Sequence, residues 1–453
     1  MNGLTRRRLL AVAGAAALGG CAGFGVSGDE AETPLDSTAV ATAVSGSLPV
    51  VSEPFPVTVA DAHLSASRSA AQAPLDELPD PIPSTAPPDE ATRTMVRRSV
   101  EDTRENLSAA EDAETARERL GELRDARYAA AHAAATWAFA TDELTREAVR
   151  ERGRTLERAV EEFVAARSLV GDPADPVRAL LVHSLVESLT VSAANDAVPG
   201  WSDYERVSSD APTADDAEAR QLPDARAVGE RAGTIAEGRA RLGDARHIGE
   251  RFADSLVDSA SMEPLFADAR ESLTATFDSH LADIPGPDAT GAELVGTDAG
   301  DIDRAVESAL RQLHGDAHYV AERGETGNPA LAVLARYDGI ATVTAYRSLR
   351  ERVADGEELG VDSAADLRER REEAISAIED ALDASADRRL ARELLAYPVA
   401  RMASTDASLR EWDQPTLQQA AVGDQARYYV EYAALARATP AAVDETLAAL
   451  DAA

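Results

Sequence analysis

The sequence is long and strongly acidic. Its 453 residues include 81 aspartates and glutamates and 45 basic residues, all of them arginine, for a net charge of -36 at pH 7. Nucleic-acid binding depends on basic side chains that neutralise phosphates, so we expect no nucleic-acid partner. The absence of lysine also excludes Schiff-base catalysis and a P-loop, because both need a lysine amine.

The first 21 residues are predicted to be an export signal. Arg6 and Arg7 precede an alanine-rich apolar run that ends at Leu18-Gly19-Gly20-Cys21. A basic start, a short apolar segment and small residues before the cleavage site are typical of a secretory leader. The run from Leu9 to Leu18 is about half of the roughly twenty residues that span a bilayer, so a retained transmembrane helix is the weaker interpretation.

The twin arginine resembles a Tat signal, and the segment ending at Cys21 resembles a lipobox. With the acidic, lysine-free composition, this leader resembles those of haloarchaeal Tat-exported lipoproteins. The resemblance implies that Cys21 becomes a lipidated N-terminus and anchors the protein to the outer face of the cell membrane, where partners help a single chain to hold it. A lipidated Cys21 leaves no thiol for a disulfide, an iron–sulfur cluster or a nucleophile, because it is the only cysteine.

Composition divides the remaining chain into three segments. Residues 22–46 are rich in glycine, serine, threonine, alanine and acid, which predicts a flexible tether. Residues 47–200 are predicted to be an N-terminal helical domain that begins with an extended segment broken by prolines. A polar break at 197–215, which contains Pro199-Gly200, separates it from residues 215–453, a predicted C-terminal helical domain. A glycine-rich stretch at 284–301 is predicted to be a loop inside that domain.

Apolar residues recur with a helical period from Asp89 almost to the end of the chain. Three capping residues followed by proline predict helix starts at Pro176, Pro329 and Pro440. Runs with strand-like alternation are almost absent from the sequence. We therefore expect an all-α protein, either a multi-helix bundle or an irregular helical array.

Several histidines and carboxylates share helix faces, an arrangement from which a helical bundle can build a zinc or iron site. The predicted metal ligands are Asp244, His247, His314, His318 and Glu322, and His183 with Glu187 forms a further pair. The alternative is that these histidines lie at the surface or are satisfied in helix contacts.

Three tyrosines, Tyr428, Tyr429 and Tyr432, form the densest aromatic group in an aromatic-poor chain. Core packing is the expected role of this group, and a partner-binding face is the alternative.

No catalytic residue and no required cofactor can be identified from the sequence. The leading hypothesis is a non-enzymatic, membrane-tethered helical protein that acts as a scaffold or binding module for a ligand or a protein partner. The alternative is a metal-binding protein or metalloenzyme that uses the histidine and carboxylate positions. Metal analysis of wild type beside His314→Ala and His318→Ala separates the two.

Overall fold

The computed structural model describes residues 34–83, 89–198, 217–296, 303–323, 327–412 and 414–452. The predicted leader, with Arg6, Arg7 and Cys21, lies outside these ranges. Within them, nearly all regular secondary structure is α-helical, which confirms the all-α expectation. The few strands are each two residues long.

The elements of the first half are β1 Leu35–Asp36, α1 Ser37–Ala43, α2 Asp61–Gln72, a 3-10 helix Ala73–Glu77, α3 Glu90–Asp112, α4 Ala116–Ala140, α5 Arg146–Ala166, β2 Val170–Gly171, α6 Pro176–Ala197 and α7 Ala217–Asp254. Those of the second half are β3 Ala260–Ser261, α8 Glu263–Leu281, α9 Gly291–Val295, α10 Arg304–Arg323, α11 Pro329–Ala354, α12 Ala364–Ala384, α13 Arg388–Arg410, β4 Thr416–Leu417 and α14 Gln419–Ala452.

The chain forms two compact units. The first contains the described parts of residues 55–172 and 182–260, and the second contains residues 34–54, 173–181 and the described parts of 261–452. This division differs from the predicted one, because α7 belongs to the first unit although it follows the break at 197–215. The reason is burial: Val228, Ile235 and Leu242 of α7 share a core with Val149 and Leu156 of α5.

Close packing of α4 against α7 organises the first unit. Thr115 caps α4 in a capping box with Glu118, which satisfies backbone donors at the start of the helix. Gly229 and Gly233 allow α7 to approach, since a Cβ at Gly233 would lie 2.9 Å from the backbone oxygen of Tyr128. The two helix backbones therefore pack nearly in contact.

The end of the predicted tether is folded onto the second unit, so the prediction of a flexible segment is wrong from residue 34 onward. Leu35 pairs with Leu417 in an antiparallel β1–β4 ladder, and Val40 of α1 is fully buried. Arg371 donates a 2.9 Å hydrogen bond to the Gly46 carbonyl. Composition obscured this, because a few apolar residues anchor an otherwise polar segment.

The predicted helix starts at Pro176 and Pro329 are confirmed, but the one at Pro440 is wrong. Helix α14 runs through Pro440. The Thr439 hydroxyl donates a hydrogen bond to the Leu435 carbonyl within this helix and does not cap the start of a new helix. Thr439, Ala442 and Val443 are buried around the proline. Burial of a continuous helix face thus outweighs the backbone hydrogen bond that proline removes.

The predicted loop at 284–301 contains a short helix, α9, which Thr290 and Glu293 start with a capping box.

Among the described residues, α6 is the one helix long and apolar enough to cross a membrane, and 67% of its apolar window is buried inside the protein.

Candidate ligand-binding cleft

Asp244 and His247 lie together on α7 and tie α2 to it. Asp244 Oδ1 is 2.9 Å from His63 Nε2, and the His63 and His247 rings stack with centroids 4.1 Å apart. Asp244 also forms a buried ion pair with Arg124 of α4, and the Ala60 N–H donates to His247 Nε2 over 3.1 Å. Burial, with the nearby His63, lowers the pKa of His247 and keeps its ring neutral.

His314 and His318 lie one turn apart on α10 of the second unit. The Nε2 atoms of both rings are 2.9 Å from the Pro285 carbonyl oxygen, to which an N–H must donate. The Glu322 side chain is outside what the structure describes. The predicted ligands therefore divide between the two units, and the described ranges contain no group of three histidine, cysteine or acidic side chains that could hold a metal.

The tyrosine group divides by burial. Tyr429 is fully buried and donates a 2.6 Å hydrogen bond to Asp406 Oδ1, and Tyr432 is 3% exposed. Tyr428 is half-buried. Two of the three side chains are thus core residues of the second unit.

A serine–histidine pair that the sequence analysis missed lies between α3 and α4. Ser99 Oγ is 2.8 Å from His132 Nδ1, and burial lowers the pKa of His132. Both side chains are buried within the helix–helix contact, so a substrate has no route to the hydroxyl without separating the helices. The pair satisfies two buried polar groups and does not resemble a catalytic dyad with an open nucleophile.

A cleft of about 390 Å³ opens in the first unit beside the end of α5, the 182–186 part of α6 and the last turns of α7. Its wall combines apolar surface with charged groups. The lining residues are Glu162, Phe163, Ala166, Arg167, Ser168, Val170, His183, Val186, Arg246, Gly249, Glu250 and Ala253.

Arg167 is the main polar feature of the cleft. It ends α5, and its Nη2 donates a 2.8 Å bond to Oε1 of the fully buried Glu187. Its Nη1 is buried without a hydrogen-bond partner. An unsatisfied buried donor costs roughly 1–3 kcal/mol, so an acceptor bound beside it would recover that free energy.

His183 contributes a neutral ring to the same cleft. Its Nε2 donates a 2.7 Å hydrogen bond to the Val170 carbonyl, and its ring meets Phe252 edge-on with centroids 5.5 Å apart. Burial lowers the pKa of His183, and the nearby Arg167 charge lowers it further. The sequence pairing of His183 with Glu187 is therefore reproduced in space, but each group is engaged by a protein partner.

Arg246 is a second arginine of the lining, and it lies over the Phe163 ring. The Arg246 guanidinium carbon is 5.7 Å from the Phe163 ring centroid, and its Nη2 donates to the Ala159 carbonyl over 3.1 Å. Concave sites with apolar walls and a few polar groups are typical of small-molecule binding. The arrangement suits an organic ligand with an apolar body and an anionic or acceptor group.

The sequence held little signal for this cleft. Arg167 is 20 residues from its partner Glu187, and between them lie an irregular connection with the two-residue strand β2 and the first turns of α6. Arginine at the end of a helix in an acidic chain predicts only surface charge. The unsatisfied Nη1 becomes recognisable only once α6 has packed against α5.

Residues 62–259 match a domain of unknown function, DUF8262, and residues 263–448 match a second, DUF8264. No curated protein and no solved structure matches the chain. The two matched segments end and begin within three residues of the division between the compact units. The chain is therefore similar to two successive domains of unknown function, although residues 173–181 of the second unit fall within the first match.

Proposed function

We propose that this protein is a membrane-tethered binding module whose first unit holds a small organic ligand in the cleft beside Arg167. The observation that carries the proposal is a largely apolar cleft lined by Arg167, a guanidinium whose buried Nη1 has no hydrogen-bond partner. Binding is favoured over catalysis because the histidine and the buried arginine of the cleft are held by protein partners: His183 by the Val170 carbonyl, and Arg167 by Glu187.

The ligand that fits this wall has a carboxylate, sulfonate or similar acceptor for Arg167 and an apolar part for Phe163 and Val186. A guanidinium already bound to one carboxylate keeps further N–H donors for a second acceptor. The exposed Glu162 and Glu250 lie at the same cleft and disfavour a ligand with several negative charges.

The cleft is tested by blocking its mouth. Ala165 and Ala166 are adjacent exposed residues of α5, and of the two only Ala166 lines the cleft. With 8-anilinonaphthalene-1-sulfonate as a probe in molar salt, added to protein from which bound small molecules have been removed by dialysis, we expect saturable fluorescence enhancement for wild type and Ala165→Trp. Ala166→Trp should weaken the binding at least tenfold, because the indole fills the space. Equal binding by both variants contradicts the proposal.

Removing Arg167 itself is a poorer test. Glu187 is completely buried, and an unpaired buried carboxylate costs about 3–5 kcal/mol. A loss of binding in such a variant would therefore not be distinguished from a loss of folding.

The membrane tether rests on the leader and on no part of the described structure. Tat-dependent export and lipidation at Cys21 would place both units outside the cell, joined to the membrane through the segment before residue 34. Cys21→Ser should release the protein from the membrane fraction, and replacing Arg6 and Arg7 by lysine should block export. Normal surface display of the lysine variant would exclude the Tat assignment.

A further inference from the structure

Two arginines of the second unit hold one tyrosine between them. The guanidinium carbons of Arg401 and Arg427 lie 4.4 Å and 4.6 Å from the Tyr428 ring centroid. Each guanidinium also donates through Nη2 to the Tyr428 hydroxyl oxygen, over 2.5 Å for Arg401 and 2.9 Å for Arg427. Helices α13 and α14 thus bring two cations to one phenol.

Neither cation has a carboxylate partner in the described part of the chain. Each makes a single hydrogen bond there, to Tyr428, and a guanidinium has five N–H donors. This is unexpected in a protein with 81 acidic and 45 basic residues. Both side chains are half-buried, so solvent still reaches them.

Two carboxyl groups lie near the two cations, but neither forms an ion pair with them. Glu431 lies one turn beyond Arg427 on α14, and burial, with the neighbouring Asp316, raises its pKa to about 8. Its Oε2 is buried without a hydrogen-bond partner. Burial also raises the pKa of Asp316, whose Oδ1 accepts a 2.9 Å hydrogen bond from Gln312. At neutral pH the protonated Glu431 does not offset the charge of the two cations, and Asp316 forms no ion pair with either of them.

We propose that Arg401 and Arg427 bind a small inorganic anion, a halide or an oxyanion such as phosphate, with Tyr428 holding the two guanidinium groups in place. Planar guanidinium groups bind such anions through charge-assisted hydrogen bonds. Two like charges at one ring repel each other, and an anion between them removes that repulsion. The net charge of the protein does not prevent binding, because at 0.15 M salt charges beyond about 8 Å are largely screened.

The experiment measures the excess line width of chloride nuclear magnetic resonance for the full chain in molar potassium chloride. Arg401→Gln and Arg427→Gln should each reduce the excess at least twofold. The matched control is Arg392→Gln, which replaces an exposed arginine of α13, the helix of Arg401. This substitution should leave the excess line width unchanged. Tyr428→Phe should also keep it, because the ring that stacks with both cations remains.

Phosphate separates the two kinds of anion. Narrowing of the wild-type chloride line on adding phosphate identifies a site that also takes oxyanions, and no narrowing identifies a halide site. Circular dichroism shows whether each variant is folded, and either single arginine variant suffices if the other unfolds. Equal excess line widths in wild type, Arg401→Gln, Arg427→Gln and Arg392→Gln overturn the proposal and leave a cation–π stack that only joins α13 to α14.

Discussion

The buried ion pair between Arg371 and Asp406 holds the folded N-terminal segment on the second unit. Asp406 Oδ2 accepts a 2.8 Å bond from Arg371, and Tyr429 donates to Oδ1 of the same carboxylate. Arg371 also reaches the Gly46 carbonyl, so the pair connects α12, α13 and α14 with the chain after α1. The burial of this group makes its loss severe, because water cannot replace the missing partner.

Asp406→Ala should lower the free energy of unfolding by about 3–5 kcal/mol, since it leaves Arg371 charged, buried and unpaired. The measurement is urea unfolding at constant molar salt. Asp383→Ala is the matched control: Asp383 is 80% exposed and pairs with Arg388 at 3.4 Å. We expect it to change stability by less than about 0.5 kcal/mol. Similar losses for both substitutions would contradict the structural role of the buried pair.

Glu431 should make stability fall as pH rises. Its pKa is raised from 4.5 to about 8 in the folded protein, mainly by burial. Between these values the folded state binds a proton that the unfolded state has lost, so wild type loses up to about 1.4 kcal/mol per pH unit through this group. Glu431→Gln should remove that part of the slope, measured as unfolding free energy from about pH 5 to 8. A slope unchanged from wild type, and equal to that of the exposed control Glu411→Gln, would exclude a neutral Glu431.

Residue-scale prediction from the sequence succeeded only for neighbours on one helix. Spacing correctly placed His314 beside His318 and Asp244 beside His247. Spacing could not predict that His63, 181 positions away in the chain, contacts Asp244. Nor could it predict that both imidazoles on α10 hydrogen-bond to the Pro285 carbonyl. These partners depend on how helices pack, and no local pattern encodes that.

Among the elements, the close packing of α4 against α7 predicts that glycine-to-alanine substitutions on α7 change stability in opposite directions at different positions. Alanine is favoured over glycine by about 1 kcal/mol in a helix interior. Gly229→Ala and Gly233→Ala should nevertheless destabilise the protein by roughly 1–3 kcal/mol, because the new Cβ meets the α4 backbone.

Gly243→Ala is the control on the same helix. Nothing lies within 4 Å of a Cβ built at Gly243, so propensity alone acts and the variant should be more stable. Thermal unfolding in molar salt measures all three variants. Stabilisation by all three would mean that α4 and α7 are farther apart than described.

Helix existence was predictable from period and capping, and helix continuity was not. The starts at Pro176 and Pro329 both follow non-helical residues; the Asp175 side chain caps the first, whereas Asn328 makes no side-chain capping bond and the proline alone marks the second. Thr439-Pro440 has the same local pattern, but the residues before and after this proline in α14 are buried. Tertiary burial therefore decides between two local outcomes of the same motif.

For the whole molecule, the excess of 36 negative charges predicts salt-dependent folding. Exposed ion pairs such as Arg154 with Glu147 and Glu151, at 3.0 and 2.9 Å, each contribute little and cannot offset the general repulsion. Lowering salt from molar to millimolar lengthens the screening distance from about 3 Å to 30 Å or more. The helical circular dichroism signal should decrease accordingly, with the same midpoint in sodium and potassium chloride at equal ionic strength. An unchanged spectrum would contradict the screening argument.

The boundary between units illustrates what composition lacks at this scale. A polar break that contains Pro199-Gly200 suggested a division at 197–215, yet the helices on either side of it share one core. The division falls instead near residue 260, where β3 is only two residues long and no compositional change marks it. A shared hydrophobic core defines each unit, and the composition of a sequence indicates its linkers more clearly than its cores.

Small molecules retained by the native protein would reveal whether the proposed ligand occupies the cleft of the first unit. Wild type, Ala165→Trp and Ala166→Trp are each purified from membranes in molar salt and denatured, and the released small molecules are identified by mass spectrometry. We expect one compound with an acidic or acceptor group, near-stoichiometric in wild type and Ala165→Trp and absent from Ala166→Trp. The same compounds from all three proteins, or none from any, would contradict this expectation.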